Sequence, residues 1–174
     1  MKNIRKFYLI TSCLFLFSSI SGAAIAKELK VGLVLTVSGP FALPGNQILR
    51  GAQTYMKLHG DTVAGRKIRL VVRDTGGMNP EVANRVTQEL IQREKVDVLA
   101  GYVPTPNVMA ALPLATKAKI PLVNMLAATS SITEKSPYIV RTSFTMQQSA
   151  WAIAKWAYAN GIRNVSILAS DYSA

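Results

Sequence analysis

Apolar and polar positions along this chain switch between two periods, and the switching predicts its elements. Residues 29–37 form a near-continuous apolar run with Val31, Val34 and Val37, the pattern of a strand buried on both faces. Ser38-Gly39-Pro40 breaks the run. Over residues 46–59 the period becomes helical: Ile48, Leu49, Ala52, Tyr55 and Met56 share one side, and Gly60 closes the helix. Residues 67–73 then alternate, with Ile68, Leu70 and Val72 facing one way and Lys67, Arg69 and Arg73 the other. That is a half-exposed strand at an edge of the sheet. Asp74-Thr75-Gly76-Gly77 is a turn, and Asn79 followed by Pro80 is a strong helix start, with Val82, Val86 and Leu90 as the buried stripe.

The second half repeats the alternation. Residues 96–100 read as a short buried strand ended by Gly101, and residues 107–118 as a helix that Pro113 kinks or begins. Residues 121–125 are another strand, 127–131 a loop of small residues and 138–142 an extended stretch. A helix over 147–160 ends at Gly161, and 165–169 is a last apolar strand. Strand and helix alternating over short connections predict an α/β fold, a parallel sheet with helices on both faces. Ligands in such sheets sit outside the carboxyl ends of the strands, which singles out the loops 38–47, 74–79, 101–107 and 127–133. These are rich in Ser, Thr and Gly, except for one that carries Thr105 between Pro104 and Pro106. The strand at 165–169 needs neighbours and a covering helix that the sequence to Ala174 does not supply, so the chain reads as the N-terminal part of a longer protein.

The first residues change the meaning of the composition. Lys2, Arg5 and Lys6 precede an apolar run over residues 7–20, and small residues with Ala24 and Ala26 flanking Ile25 follow it. This is the pattern of a cleaved export signal over residues 1–26, too short for a spanning helix. Cleavage after Ala26 would remove Cys13, the single cysteine, and with it every disulfide or thiolate site. The single histidine, His59, excludes a multi-histidine metal site. Three of the charges behind the formal +11 also belong to the signal, and the rest are dispersed, so nucleic acid is not an expected partner.

Several residues have a plain reading. Asp74 is an end-of-strand turn residue, His59 complements a helix C-terminus, and Trp151 and Trp156 pack a helix. Gly76-Gly77 lacks the Gly-Lys-Ser/Thr that a phosphate loop needs, and no Gly-x-Ser-x-Gly nucleophile turn is present. Ser38 reads either as an anion contact or as a turn residue, and Tyr102 as a pocket wall or a core tyrosine at a strand end.

Taken in order, the signal, Leu29-Lys-Val-Gly-Leu-Val-Leu-Thr-Val-Ser-Gly-Pro-Phe-Ala42, Gly45-Asn-Gln-Ile-Leu-Arg-Gly-Ala52, Asp74, Asn79-Pro-Glu-Val-Ala83, Gly101, Ala127-Ala128-Thr129 and Ser170-Asp171-Tyr172 resemble a known family. It is the periplasmic solute-binding proteins of branched-chain amino-acid ABC importers, the leucine/isoleucine/valine-binding type. The resemblance implies the periplasmic binding protein type I fold, with residues 27–142 as a first lobe and 143–174 as the hinge and beginning of a second. It implies a monomeric, periplasmic, non-enzymatic protein without cofactor, closing on a small carboxylated solute and delivering it to an inner-membrane permease. The solute would be a branched-chain or other amino acid, or an aromatic acid. Thr105 would grip the ligand carboxylate, while Ala127 would offer its carbonyl and Thr129 its hydroxyl and amide. Pro44 stands before Gly45 where the family often has tyrosine. A sensor of the same fold serving a membrane receptor, or an exported α/β enzyme, stays open as an alternative.

Overall fold

A computed structural model describes residues 27–168; the expected export signal lies outside them. The elements, in order, are β1 (Leu29–Leu35), α1 (Ala42–His59), β2 (Thr62–Val63), β3 (Arg66–Asp74), α2 (Pro80–Glu89), β4 (Val98–Gly101), α3 (Thr105–Ala118), β5 (Leu122–Asn124), β6 (Ile139–Arg141) and α4 (Met146–Ala159). A π turn, Leu90–Glu94, prolongs α2, and a 3-10 turn, Ser130–Glu134, follows β5. The sheet has six strands in the order β2-β3-β1-β4-β5-β6. All pairings are parallel except the β2–β3 hairpin.

Burial follows the pattern of the sequence. Leu33 and Leu35 of β1 pack on one face with Ile48 and Leu49 of α1. Val34 points to the other face, where Leu99, Val86 and Leu90 meet Val108, Leu112 and Ala115 of α3. β1 is therefore covered on both sides, as its unbroken apolar run requires. On α1 only Gly45 is fully buried, because the helix crosses the end of β1 there: a Cβ would come within 1.9 Å of the Thr36 carbonyl oxygen. Tyr55 belongs to the outside of α1, stacked on His59 at 4.4 Å between ring centroids.

The boundaries differ from expectation in instructive ways. α1 begins at Ala42 and α3 at Thr105, because a proline in the first turn has no hydrogen bond to lose. Pro113 lies inside α3 and does not start it. Asn79 caps α2 as expected, its side chain accepting from the Val82 amide at 3.1 Å. β3 stands one place in from the rim, since β2 pairs with its first residues through a hairpin whose turn, Ala64-Gly65, has both φ values positive. The strand expected at 165–169 is a correction. Residues 163–168 form no strand among the described residues, with Ile167 and Leu168 fully open. Apolar composition alone does not hold an extended segment without a partner to take its backbone hydrogen bonds.

One ion-pair group ties β3 to the end of α2. Arg73 reaches Glu89 at 2.7 Å and Glu94 at 2.9 Å. Its hydrogen bond to Glu89 raises the guanidinium pKa, and the same bond holds the Glu89 carboxyl below its usual range.

Candidate functional site

The carboxyl ends of the parallel strands carry two polar groups, and they differ in charge and in exposure. The first sits over β1 and β3. Asp74, the last residue of β3, accepts from the Val37 amide at 2.9 Å, the Gly76 amide at 2.9 Å and the Ser38 hydroxyl at 2.5 Å. Burial pushes this carboxyl up, but the hydrogen bonds from Ser38, Gly76 and Val37 together outweigh it and hold the pKa below the usual value. Ser38 is thus engaged with a carboxylate. That is a poor surrounding for an anion, and of its two expected readings the structure gives the turn residue. Beneath it a buried set joins three elements: Thr36 and Thr75 hydroxyls 2.8 Å apart, with the Asn107 amide donating to Thr75 at 3.2 Å and to the Gly77 carbonyl at 2.9 Å.

The second group sits over β4, β5 and β6 and borders a cleft of about 500 Å³, a volume usual for a small-molecule site. Thr105, at the start of α3, and Thr129, after β5, both line it, with hydroxyl oxygens 2.9 Å apart. The two expected threonines are brought together. Val103, Leu126 and Met146 supply the apolar lining, and Ala128, Ser130 and Gln147 complete it. None of these lining residues carries a formal charge.

The other two expected site residues support the cleft from behind. Tyr102 is 1 % exposed and lies in the core, its hydroxyl 2.9 Å from that of Thr87. Burial pushes its pKa well up, against a smaller opposite effect from Thr87. It is a core tyrosine and not a pocket wall. The cause is backbone conformation: Gly101 and Tyr102 have φ of 106° and 62°, which turns the side chain down while the Tyr102 amide donates to the Val34 carbonyl at 2.7 Å. The Ala127 carbonyl, expected to face the ligand, is turned inward. It accepts from the Asn124 amide at 2.6 Å and from Arg141 at 2.8 Å.

Arg141 is the residue that sequence reasoning missed. Its guanidinium, half-buried at the end of β6, donates to the carbonyls of both Ala127 and Thr129. The Ala128 carbonyl accepts from the Met146 amide at 2.9 Å. Every carbonyl of the 127–129 loop is therefore held by the framework, whereas the amides of Ala128 and Thr129 have no protein acceptor among the described residues. In a trans peptide the N–H points opposite to the C=O. Fixing the carbonyls inward turns these donors outward, on the segment that lines the cleft. Among the described residues no cluster of three His, Cys, Asp or Glu could hold a metal, and no helix is long and apolar enough to cross a membrane.

An open parallel α/β sheet with a donor-lined cleft at its carboxyl edge defines the class of one lobe of a solute-binding protein. Residues 28–174 match the profile of the periplasmic binding protein family, and the chain belongs to that family. Its fold is that of type I periplasmic binding proteins. It is 42 % identical over 161 residues to Leu/Ile/Val-binding protein homolog 6 of Brucella abortus, covering 92 % of this chain and 41 % of that one. The structure resembles an ABC transporter solute-binding protein of Rhodopseudomonas palustris BisB5 in complex with 3,4-dihydroxybenzoic acid. The TM-score is 0.76 and the identity 50 %, over 79 % of this chain and 37 % of that one. It also resembles the leucine-binding protein LivK of Thermotoga maritima, with TM-score 0.71 and 26 % identity over 76 % and 37 % of the two chains. This chain thus spans about two fifths of the length of such relatives.

Proposed function

We propose that the protein is the solute-capturing component of an ABC importer, exported by residues 1–26 to the periplasm, and that its solute is an aromatic carboxylate. Residues 27–142 serve as the first lobe and 143–174 begin the hinge and second lobe, so capture proceeds by closure of two lobes on the solute. The carrying observation is the donor arrangement. Two threonine hydroxyls, of Thr105 and Thr129, and the outward amides of Ala128 and Thr129 border one cleft with Val103, Leu126 and Met146 beside them. Amide and hydroxyl donors suit a carboxylate, and the apolar lining suits a ring. An amino acid would also bring an ammonium group, which needs acceptors, and the loop carbonyls are already bonded to the framework. The relative bound to 3,4-dihydroxybenzoic acid, at 50 % identity, supports the same choice. The name of the Brucella relative favours a branched-chain amino acid as the second reading.

Calorimetry on the full-length protein separates the two. It should bind 3,4-dihydroxybenzoate and ignore leucine, and Thr105→Val or Thr129→Val should each weaken the aromatic acid by about tenfold or more, the loss expected for a hydrogen bond to a charged group. Tighter binding of leucine overturns the aromatic assignment. Absence of binding to either class removes the solute-capture reading, and detection of an intact residue 1 on the exported protein removes the cleaved signal.

A further inference from the structure

We infer that Arg141 is a positioning residue that makes the cleft selective for carboxylates over their neutral amides, acting through the 127–129 loop without touching the solute. This rests on the solute-binding function proposed above. Its two nitrogens take separate carbonyls, Nη1 that of Ala127 at 2.8 Å and Nη2 that of Thr129. A planar guanidinium is suited to this because its fork is rigid and its charge permanent. Two consequences follow. The peptides after Ala127 and Thr129 are held with their amides on the side away from the guanidinium, since N–H and C=O oppose one another across a trans peptide. The cation at the carbonyl end also polarises each peptide, strengthening the N–H at the other end as a donor. Ala128, Thr129 and Ser130, the residues these peptides join, line the cleft, and no lining residue is charged. Arg141 thus supplies positive potential to a site whose own walls are neutral. Asn124 cannot do this, because its amide reaches only the Ala127 carbonyl and carries no charge.

The test compares an acid with its neutral analogue in the full-length protein. Affinities for 3,4-dihydroxybenzoate and 3,4-dihydroxybenzamide are measured by calorimetry for the wild type, Arg141→Gln and Arg141→Lys. Hydrogen exchange at the Ala128 and Thr129 amides is followed without ligand. Arg141→Gln should weaken the acid by about 10- to 100-fold while the amide changes by about threefold or less. Arg141→Lys, which restores charge but not the fork, should fall between Arg141→Gln and the wild type in acid-to-amide preference. Exchange at both amides should quicken in either variant. Equal losses for acid and amide would mean a purely structural brace and overturn the inference, as would an unchanged acid affinity. If Arg141→Gln does not fold, the ratio for Arg141→Lys decides, and a ratio equal to that of the wild type overturns it. A wild type that binds neither ligand instead overturns the aromatic-acid function, and this inference with it.

Discussion

The helices α3 and α4 are each 14 residues long and each mostly apolar, yet they live in opposite surroundings. α3 buries Thr105, Asn107, Val108, Ala111, Leu112 and Ala115 against the sheet. α4 buries no residue; Trp151 is 67 % and Trp156 57 % exposed. Their ends are reversed in the same sense. α3 begins with no side-chain cap, whereas α4 has a full capping box, Thr145 accepting from the Gln148 amide at 3.2 Å and Gln148 accepting from the Thr145 amide at 2.7 Å. The helix with tertiary support does without local support, and the helix without tertiary support is strongly started. Apolar composition thus predicts that a face can be buried, and only the topology decides whether it is.

The largest effect that should separate the two helices is a core truncation. Leu112→Ala in α3 is expected to destabilise by about 2–5 kcal/mol, and Ile153→Ala in α4 by about 0.5 kcal/mol or less in this chain, read from the urea midpoint by circular dichroism. Comparable losses at the two positions would erase the contrast. Next is the cap. Thr145→Ala should weaken α4 by about 1 kcal/mol, seen as faster hydrogen exchange in its first turn with the global midpoint unmoved. A shift of that midpoint would show α4 to be coupled to the sheet. Because both tryptophans of the chain lie on α4, fluorescence reports on that helix alone. Its emission should be red-shifted and open to acrylamide, and its denaturation should not coincide with that of the sheet.

The smallest effect uses pH to move the sheet end without moving α4. The folded Asp74 carboxyl lies below the ordinary value of 3.8, so the stability it contributes is present above that value and is lost as pH falls through the lower, folded one. The midpoint difference between wild type and Asp74→Asn should therefore exist at neutral pH and fade in acid. Tryptophan emission should be the same in the two proteins throughout. A difference that grows in acid would contradict the hydrogen-bond origin of the shift.

What the sequence discloses follows the range of the forces involved. The Asn79-Pro80 helix start and the two-faced burial of β1 are local or periodic signals, and both are legible. Thr105 and Thr129 were legible as a pair only through resemblance, since 24 positions separate hydroxyls 2.9 Å apart. Tyr102 was ambiguous because its direction depends on two successive positive φ values, which residue type barely encodes. Arg141 left no signal at all: a basic residue in a three-residue strand reads as a solvated face until the loop carbonyls are seen above it. The run at 165–169 failed for the opposite reason. Its composition is that of a strand, but strand formation is a property of pairs.

The π turn after α2 has a consequence in chain length. In an α-helix, residues five apart point about 140° away from each other. The wider winding at Leu90–Glu94 instead lets Glu89 and Glu94 meet a single guanidinium, that of Arg73. The bridge is thus tied to one extra residue in the helix. Deleting a residue between Glu89 and Glu94 would leave both acids and the arginine in place while removing the register that joins them. At this spot the chain tolerates exchange of its letters better than loss of one.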